Sequence, residues 1–193
     1  MNKLSRNKKF FLSLLVPVLI LIAMTVKPLL TVLTGETIYL QTTPVDPSDL
    51  AYGDYVDLEF EIETLPLDLL DNGLKKQLSD DKEYFNFDSD KTVYITLKQN
   101  NNTNIYEAMK VTEIKPRTGI FIKGELASYI DQEGEVDNNS STKVAHINIP
   151  IERYYVEDNT GTHLEILSQK GKLKAEIRVR NGYAVLRDII VND

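Results

Sequence analysis

Cysteine is absent from this sequence of 193 residues, and histidine occurs only twice. The absence of cysteine excludes disulfides, thiol catalysis and cysteine-ligated zinc. His146 and His163 fall in different predicted elements and match no metal-ligand spacing, so we expect no metal and no cofactor. The formal net charge of -7 and the lack of a basic stripe after the first thirty residues argue against nucleic acid as a partner.

The N-terminus combines positive charge with a long apolar run. Residues 1–9 are basic, and residues 10–33 are mostly apolar apart from Lys27. If Lys27 extends its amine toward the membrane surface, this run can cross about 30 Å of hydrocarbon. The charge pattern predicts a cytoplasmic tail, a signal anchor at the cell membrane and an extracytoplasmic domain over 38–193. A cleaved signal peptide is the alternative, although Ala23 offers a poor cleavage site.

The segment 44–63 joins a stiff turn to the clearest strand pattern in the chain. Pro44 and Pro47 fix the backbone and lack amide donors, which predicts an ordered turn. After Gly53, apolar and acidic residues alternate. This period of two predicts one half-buried strand over 56–63.

Other patterns divide the rest of the chain. Leucine spacing predicts a short helix over 66–78, and a capping-box pattern predicts a second over 162–170. A polar segment at 131–143 is expected to be a mobile loop, and Asn181-Gly182 predicts a type I′ hairpin turn. The sequence therefore predicts a mainly β domain with two short helices, either a β-sandwich or a partly open β-barrel-like fold, behind a single N-terminal transmembrane helix.

Opposite charges on two predicted strands suggest that these strands are neighbours. Glu59 and Glu61 lie at outer positions of one strand, and Arg178 and Arg180 lie at outer positions of another. We expect these side chains to share a sheet face as cross-strand pairs.

Five segments of the chain resemble the GDYXXLXYXL protein family. They read PVDPSDLAYGDYVDLEFEI, VYITL, GIFIKGEL, IERYYVEDNTGTHLE and KAEIRVRNGYAVLRDIIVND, and they span about residues 38–192. The resemblance implies a β-rich domain behind one N-terminal hydrophobic segment, often beside or fused to a multi-spanning membrane protein. It implies no molecular activity, because none is established for the family. Phe60 stands where the family motif has tyrosine.

The resemblance also concentrates the candidate binding residues in two segments. They are Asp46, Asp49, Asp54, Tyr55, Arg153, Tyr155 and Glu157. Each also has a structural interpretation, since acidic residues after glycine fix turns and tyrosines pack with their hydroxyls at a rim. We assign no catalytic residue and no metal ligand.

The sequence favours a non-enzymatic interaction or accessory domain, anchored in the membrane, whose partner is a polytopic membrane protein or an envelope component. A serine hydrolase of the signal-peptidase type is one alternative. It would need a displaced Ser48 as nucleophile with Lys110 or Lys123 as base. Val45 stands where the nucleophile of that class would align.

A domain that binds a cation or a small ligand is a further alternative. It would gather Asp46, Asp49 and Asp54 around one point, or use the acidic ladder that begins at Asp57.

Overall fold

The structure, a computed structural model, describes residues 6–43, 55–80, 86–133, 141–151, 153–155 and 173–191. Within these residues the helices are α1 (Arg6–Thr34) and α2 (Asn72–Asp80). The strands are β1 (Glu36–Thr43), β2 (Tyr55–Asp57), β3 (Glu59–Phe60), β4 (Thr64–Pro66), β5 (Asn86–Gln99), β6 (Tyr106–Thr112), β7 (Phe121–Glu133), β8 (Ser141–Asn148), β9 (Arg153–Tyr155), β10 (Leu173–Arg180) and β11 (Tyr183–Val191).

The described strands form three sheets. One sheet has the order β11-β10-β1-β3, a second has the order β4-β8-β7-β5-β6, and β2 pairs with β9. The fold is therefore mainly β, with partly open barrel-like sheets behind one N-terminal apolar helix, and the predicted fold class is confirmed. Of the two predicted short helices, α2 is observed, whereas 162–170 lies outside the described residues.

One hydrophobic core joins the two larger sheets. In β10 every second residue is buried, namely Leu173, Ala175, Ile177 and Val179, and Ile177 lies opposite the buried Ile38 of β1. Each large aliphatic side chain buried in this way contributes about 1.5 to 3 kcal/mol. Because side chains alternate between the faces of a strand, a shift by one residue would expose the whole buried set.

Residues 55–66 pass through all three sheets. The strand β2 pairs with β9, β3 pairs with β1, and β4 pairs with β8. Leu58, Phe60 and Ile62 are buried while Glu59 is exposed, so the alternation of burial follows the predicted period. The prediction of one continuous strand is wrong, because the segment changes its pairing partner twice within twelve residues.

The carboxylate of Glu63 stabilises the turn that interrupts this segment. Residues Glu61–Glu63 form a 3-10 turn, and Glu63 Oε2 accepts a hydrogen bond from the Phe60 amide at 2.8 Å. Its other oxygen accepts from the amide of Ile149, which follows β8, at 3.4 Å. Hydrogen bonds to charged groups contribute about 1.5 to 3 kcal/mol, so one side chain both closes the turn and attaches it to the five-stranded sheet.

The first predicted short helix begins later than its leucine spacing suggests. Leu67–Leu69 form a 3-10 turn, and Leu70 makes a parallel bridge to Val111 of β6. The α-helix therefore starts at Asn72 rather than within 66–70. Leu70 pairs with β6, so its backbone cannot form the first helical turn that the leucine spacing predicts.

The final hairpin agrees with its prediction. Asn181 and Gly182 have φ values of 53° and 84°, and Arg180 lies opposite Tyr183. Two successive positive φ values are the geometry of a type I′ turn, which matches the twist of the strands that it joins.

The hairpin of β7 and β8 is longer than the sequence suggests. Strand pairing continues from Asp131 opposite Lys143 to Glu133 opposite Ser141, within the segment predicted as a loop. Residues 134–140 lie outside the described residues.

The expected charge pairs between two strands are not formed. Glu59 lies opposite Thr43, whereas Arg178 lies opposite Thr37, because β1 is inserted between β3 and β10. Six residues along β1 separate the two positions by about 20 Å. Glu61 belongs to the 3-10 turn rather than to the sheet. The hypothesis of cross-strand pairing is therefore wrong.

Asp71 supplies the N-cap of α2, since its Oδ1 accepts a hydrogen bond from the Leu74 amide at 2.9 Å. We expect Asp71→Ala to lower the free energy of unfolding by about 1 kcal/mol, the usual effect of losing such a cap. Denaturant unfolding would measure it. Asp68→Ala is the matched control, because Asp68 is exposed and Lys75 bonds to its backbone carbonyl, which the substitution keeps. Equal losses in both variants would contradict the capping role.

Candidate functional site

The structure brings three of the predicted binding residues into the small sheet of β2 and β9. Tyr55 lies opposite Tyr155, and Asp57 lies opposite Arg153, across about one hundred residues of sequence. The other four predicted binding residues lie outside the described residues; these are Asp46, Asp49, Asp54 and Glu157. A binding role at this sheet stays a prediction.

The residues proposed for the alternative functions lie on different elements. Lys110 is opposite Thr96 on one side of β5, and Lys123 is opposite Tyr94 on its other side, while Ser48 lies outside the described residues. Among the described residues no group of three or more histidine, aspartate and glutamate side chains gathers as a metal site.

The described glutamates of the acidic ladder have other partners. Glu63 accepts two backbone hydrogen bonds. Partial burial, followed by the nearby carboxylate of Glu107, raises the pKa of Glu61. Glu59 accepts a hydrogen bond from the Thr43 hydroxyl, so the described glutamates of the ladder have separate surroundings and do not converge on one point.

The junction between α1 and β1 is held by hydrogen bonds on both sides of one residue. Gly35 alone separates the helix from the strand. Its amide donates to the carbonyl oxygen of Thr31 at 2.8 Å, and its own carbonyl accepts from Nη1 of Arg178 at 2.8 Å. Farther down the helix, Lys27 Nζ lies 4.2 Å from the ring centroid of Tyr183, in cation–π geometry.

One face of the last two turns of α1 packs against β10 and β11. The buried and half-buried positions recur at helical spacing and are Pro28, Thr31, Val32 and Gly35. Apolar residues on the other side of the same turns are exposed and are Leu29, Leu30 and Leu33. The end of the helix therefore packs on the domain along one face, and the apolar side chains of its other face are exposed.

A groove of about 590 Å³ opens beside this junction. Its walls are the end of α1 with the start of β1, the loop 115–121, and the turn 179–182. The Lys123 amide donates to the carbonyl oxygen of Gly182 at 2.8 Å, which brings the loop and the turn together.

The charged side chains that line the groove are mostly cationic. Lys115, Arg117 and Arg180 are exposed at its walls, against one carboxylate, Glu36. The lining therefore carries a formal charge of +2. Such a surface attracts anions, most strongly where arginine can form two parallel hydrogen bonds to one group.

Sequence reasoning did not find this groove. The segment 115–119 reads as an ordinary turn, and Asn181-Gly182 reads as a hairpin turn. The available signals are the two cations of Lys115-Pro116-Arg117 and the arginine before the hairpin turn, Arg180, in an acidic protein. Nothing local indicates that turns separated by about sixty residues form one surface.

The fold and the junction define a class: a β-rich domain that continues directly from one candidate membrane-spanning helix, with the 22-residue span Ser13–Thr34 long and apolar enough to cross a bilayer. Within that class the chain matches the GDYXXLXY protein family over residues 17–189, nearly its whole length, and it belongs to that family. The resemblance found in the sequence is confirmed. Searches of curated proteins and of solved structures each returned no match.

The junction depends on the absence of a side chain at residue 35. A Cβ added to Gly35 would overlap the carbonyl oxygen of Thr31 and lie 3.0 Å from that of Val179. We expect Gly35→Ala to lower the free energy of unfolding by about 1 to 3 kcal/mol and the Tm by several degrees, because two backbone segments must separate. Thermal unfolding of the full chain in nanodiscs would measure the change in stability. Limited proteolysis at residues 34–36 would measure how far the junction opens.

Gly73→Ala is the matched control for that experiment. Its added methyl group would meet only the Asp71 side-chain oxygen, at 3.3 Å, within a helix where alanine is favoured over glycine. Unchanged stability and unchanged proteolysis in Gly35→Ala would contradict tight packing at the junction.

The raised pKa of Glu61 makes a separate prediction. Because the folded state favours protonated Glu61, its contribution to stability becomes less favourable as the pH rises through that pKa and recovers as the pH falls. Glu107→Gln should lower the pKa of Glu61 only part of the way to its ordinary value, since burial is the larger cause. NMR titration of the Glu61 carboxyl would test this, with Glu125→Gln as the control; an unchanged pKa in Glu107→Gln would contradict it.

Proposed function

We propose that this chain is a single-pass protein of the cell membrane with a cytoplasmic N-terminus and an extracytoplasmic β domain. We propose further that the domain has no catalytic activity of its own. In this view it serves as an interaction or accessory module for a polytopic membrane protein or an envelope component.

Charge asymmetry supports the orientation. Four of the five basic residues before Gly35 precede the apolar run, whereas all 29 acidic residues and the other 17 basic residues follow Gly35. The domain after Gly35 therefore has a formal charge of −12. Positive residues next to a membrane span are retained on the cytoplasmic side, which favours an external domain.

The docked helix end supports an anchor that is retained. Thr31 is almost completely buried, and its carbonyl oxygen accepts the hydrogen bond from Gly35. Cleavage near Ala23 would leave a short apolar helical stub attached to the domain, with its exposed leucines facing water. A retained helix places the same residues in lipid.

The direct continuation of α1 into β1 is the observation that carries the interaction proposal. A domain that needs only to stay near a membrane can be tethered by a flexible linker. Here Gly35 is hydrogen-bonded on both its amide and its carbonyl, so the helix and the domain hold one relative orientation. Such an orientation matters when the span and the domain must contact the same neighbour.

Two surfaces are suited to that contact. The apolar side chains of α1 from Leu14 to Val26 are exposed, so lipid or the helices of another protein must cover them. Among the described strands, β11 and β6 each lie at one edge of a larger sheet, and β6 is already paired at Val111 with Leu70 and Asp71. An outer strand has unpaired backbone groups that can accept a strand of a partner.

Photo-crosslinking along α1 in the native membrane tests the proposal. Leu15, Leu19 and Ile22 share one helix face, and Ile20 and Met24 lie on the opposite face. We expect a crosslinker placed at each position in turn to form an adduct with one polytopic protein from one of these faces. The opposite face serves as the internal control. Adducts with lipid alone at all five positions would contradict a partner within the membrane.

The same assay tests the small sheet of β2 and β9. Arg153→Ala in the crosslinking protein should reduce the adduct if that sheet contributes to the interface. Circular dichroism would establish that the variant is folded. An unchanged adduct would leave the helix and the outer strands as the contact surfaces.

A further inference from the structure

The contact between Lys27 and Tyr183 marks the depth of the membrane surface. Before Lys27, the apolar residues 10–26 form about 26 Å of helix, close to the thickness of the hydrocarbon. A lysine ammonium group and a tyrosine ring are both stable at the boundary between hydrocarbon and headgroups. Their separation of 4.2 Å places the tip of the β10–β11 hairpin at that boundary.

The groove then lies within reach of the lipid headgroups. From Lys27 to Thr34 the helix rises about 10 Å, slightly more than the headgroup layer of one leaflet. Leu29, Leu30 and Leu33 face away from the domain along this stretch and are exposed, as expected for residues in contact with lipid. A groove that begins at Thr34 therefore opens at the outer surface of that layer.

The charge of the groove is opposite to that of the domain. The domain has a formal charge of −12, and the groove lining carries +2. The end of α1 adds about half a negative charge from the helix dipole. Lys115, Arg117 and Arg180 exceed both this half charge and the Glu36 carboxylate, so they do more than neutralise the helix end.

We propose that this groove binds the phosphate of an anionic phospholipid from the leaflet around the end of α1. Arg117 and Arg180 supply planar donors for phosphate oxygens, and Lys115 supplies a point charge. The volume of about 590 Å³ lies in the range of small-molecule sites. The site goes beyond the proposed function: it requires the membrane span but no protein partner, so either can fail without the other.

The full-length protein, reconstituted in phosphatidylcholine vesicles with 10 mol% phosphatidylglycerol, provides the test. A photo-crosslinking residue at Thr118, which is exposed in the groove, captures lipid, and mass spectrometry counts the adducts. We expect the ratio of phosphatidylglycerol to phosphatidylcholine adducts to exceed the bulk ratio. Each cation near an anionic surface strengthens binding about fivefold, so Arg117→Gln with Arg180→Gln should lower this enrichment about 25-fold.

The control variant combines Lys98→Gln with Lys110→Gln, which removes the same charge from exposed positions outside the groove. It should keep the enrichment, and both double variants should unfold at the temperature of the wild type. Equal losses in the two double variants, or no enrichment in the wild type, would overturn the proposal.

Soluble glycerol 3-phosphate and inorganic phosphate, added at millimolar concentration, distinguish a lipid from a free anion. If neither reduces the adduct with phosphatidylglycerol, the membrane lipid is the ligand. If either abolishes the adduct, the groove is a site for a soluble phosphate, and the lipid assignment is overturned.

Discussion

The backbone of α1 reaches β10 at Gly35, where the carbonyl oxygens of Thr31 and Val179 leave room for a hydrogen atom but not for a methyl group. This close approach lets the helix end lie along the final hairpin. The hairpin turn in turn contacts the start of β7 through the carbonyl of Gly182. The helix, the four-stranded sheet and the five-stranded sheet therefore meet at one end of the domain, and the cationic groove is the space between them.

Features that depend on near neighbours could be predicted from the sequence. The turn at Asn181-Gly182 needs only two residues that tolerate positive φ between two alternating strands. The burial of Leu58, Phe60 and Ile62 likewise follows from alternation, whatever strand lies beside them. The candidate membrane span follows from composition and length alone.

Features that depend on residues distant in the chain could not be predicted from the sequence. Alternation at 56–62 indicates which side chains are buried but not that β2, β3 and β4 have three different partners. Charge complementarity suggested that two strands are adjacent, yet β1 occupies the place between them. The groove is the clearest example of a feature that could not be predicted. Its loop and its turn share no sequence pattern, and only the order of the strands brings them together.

The length of β7 separates two surfaces of the domain. The strand runs from Phe121, at the end near α1, to Glu133, which is up to about 40 Å of extended chain. A ligand that fills the groove beside Phe121 is too small to touch the opposite end of the strand as well. The groove and the far end of the β7–β8 hairpin, where Glu133 lies opposite Ser141, are therefore separate surfaces that can meet different molecules.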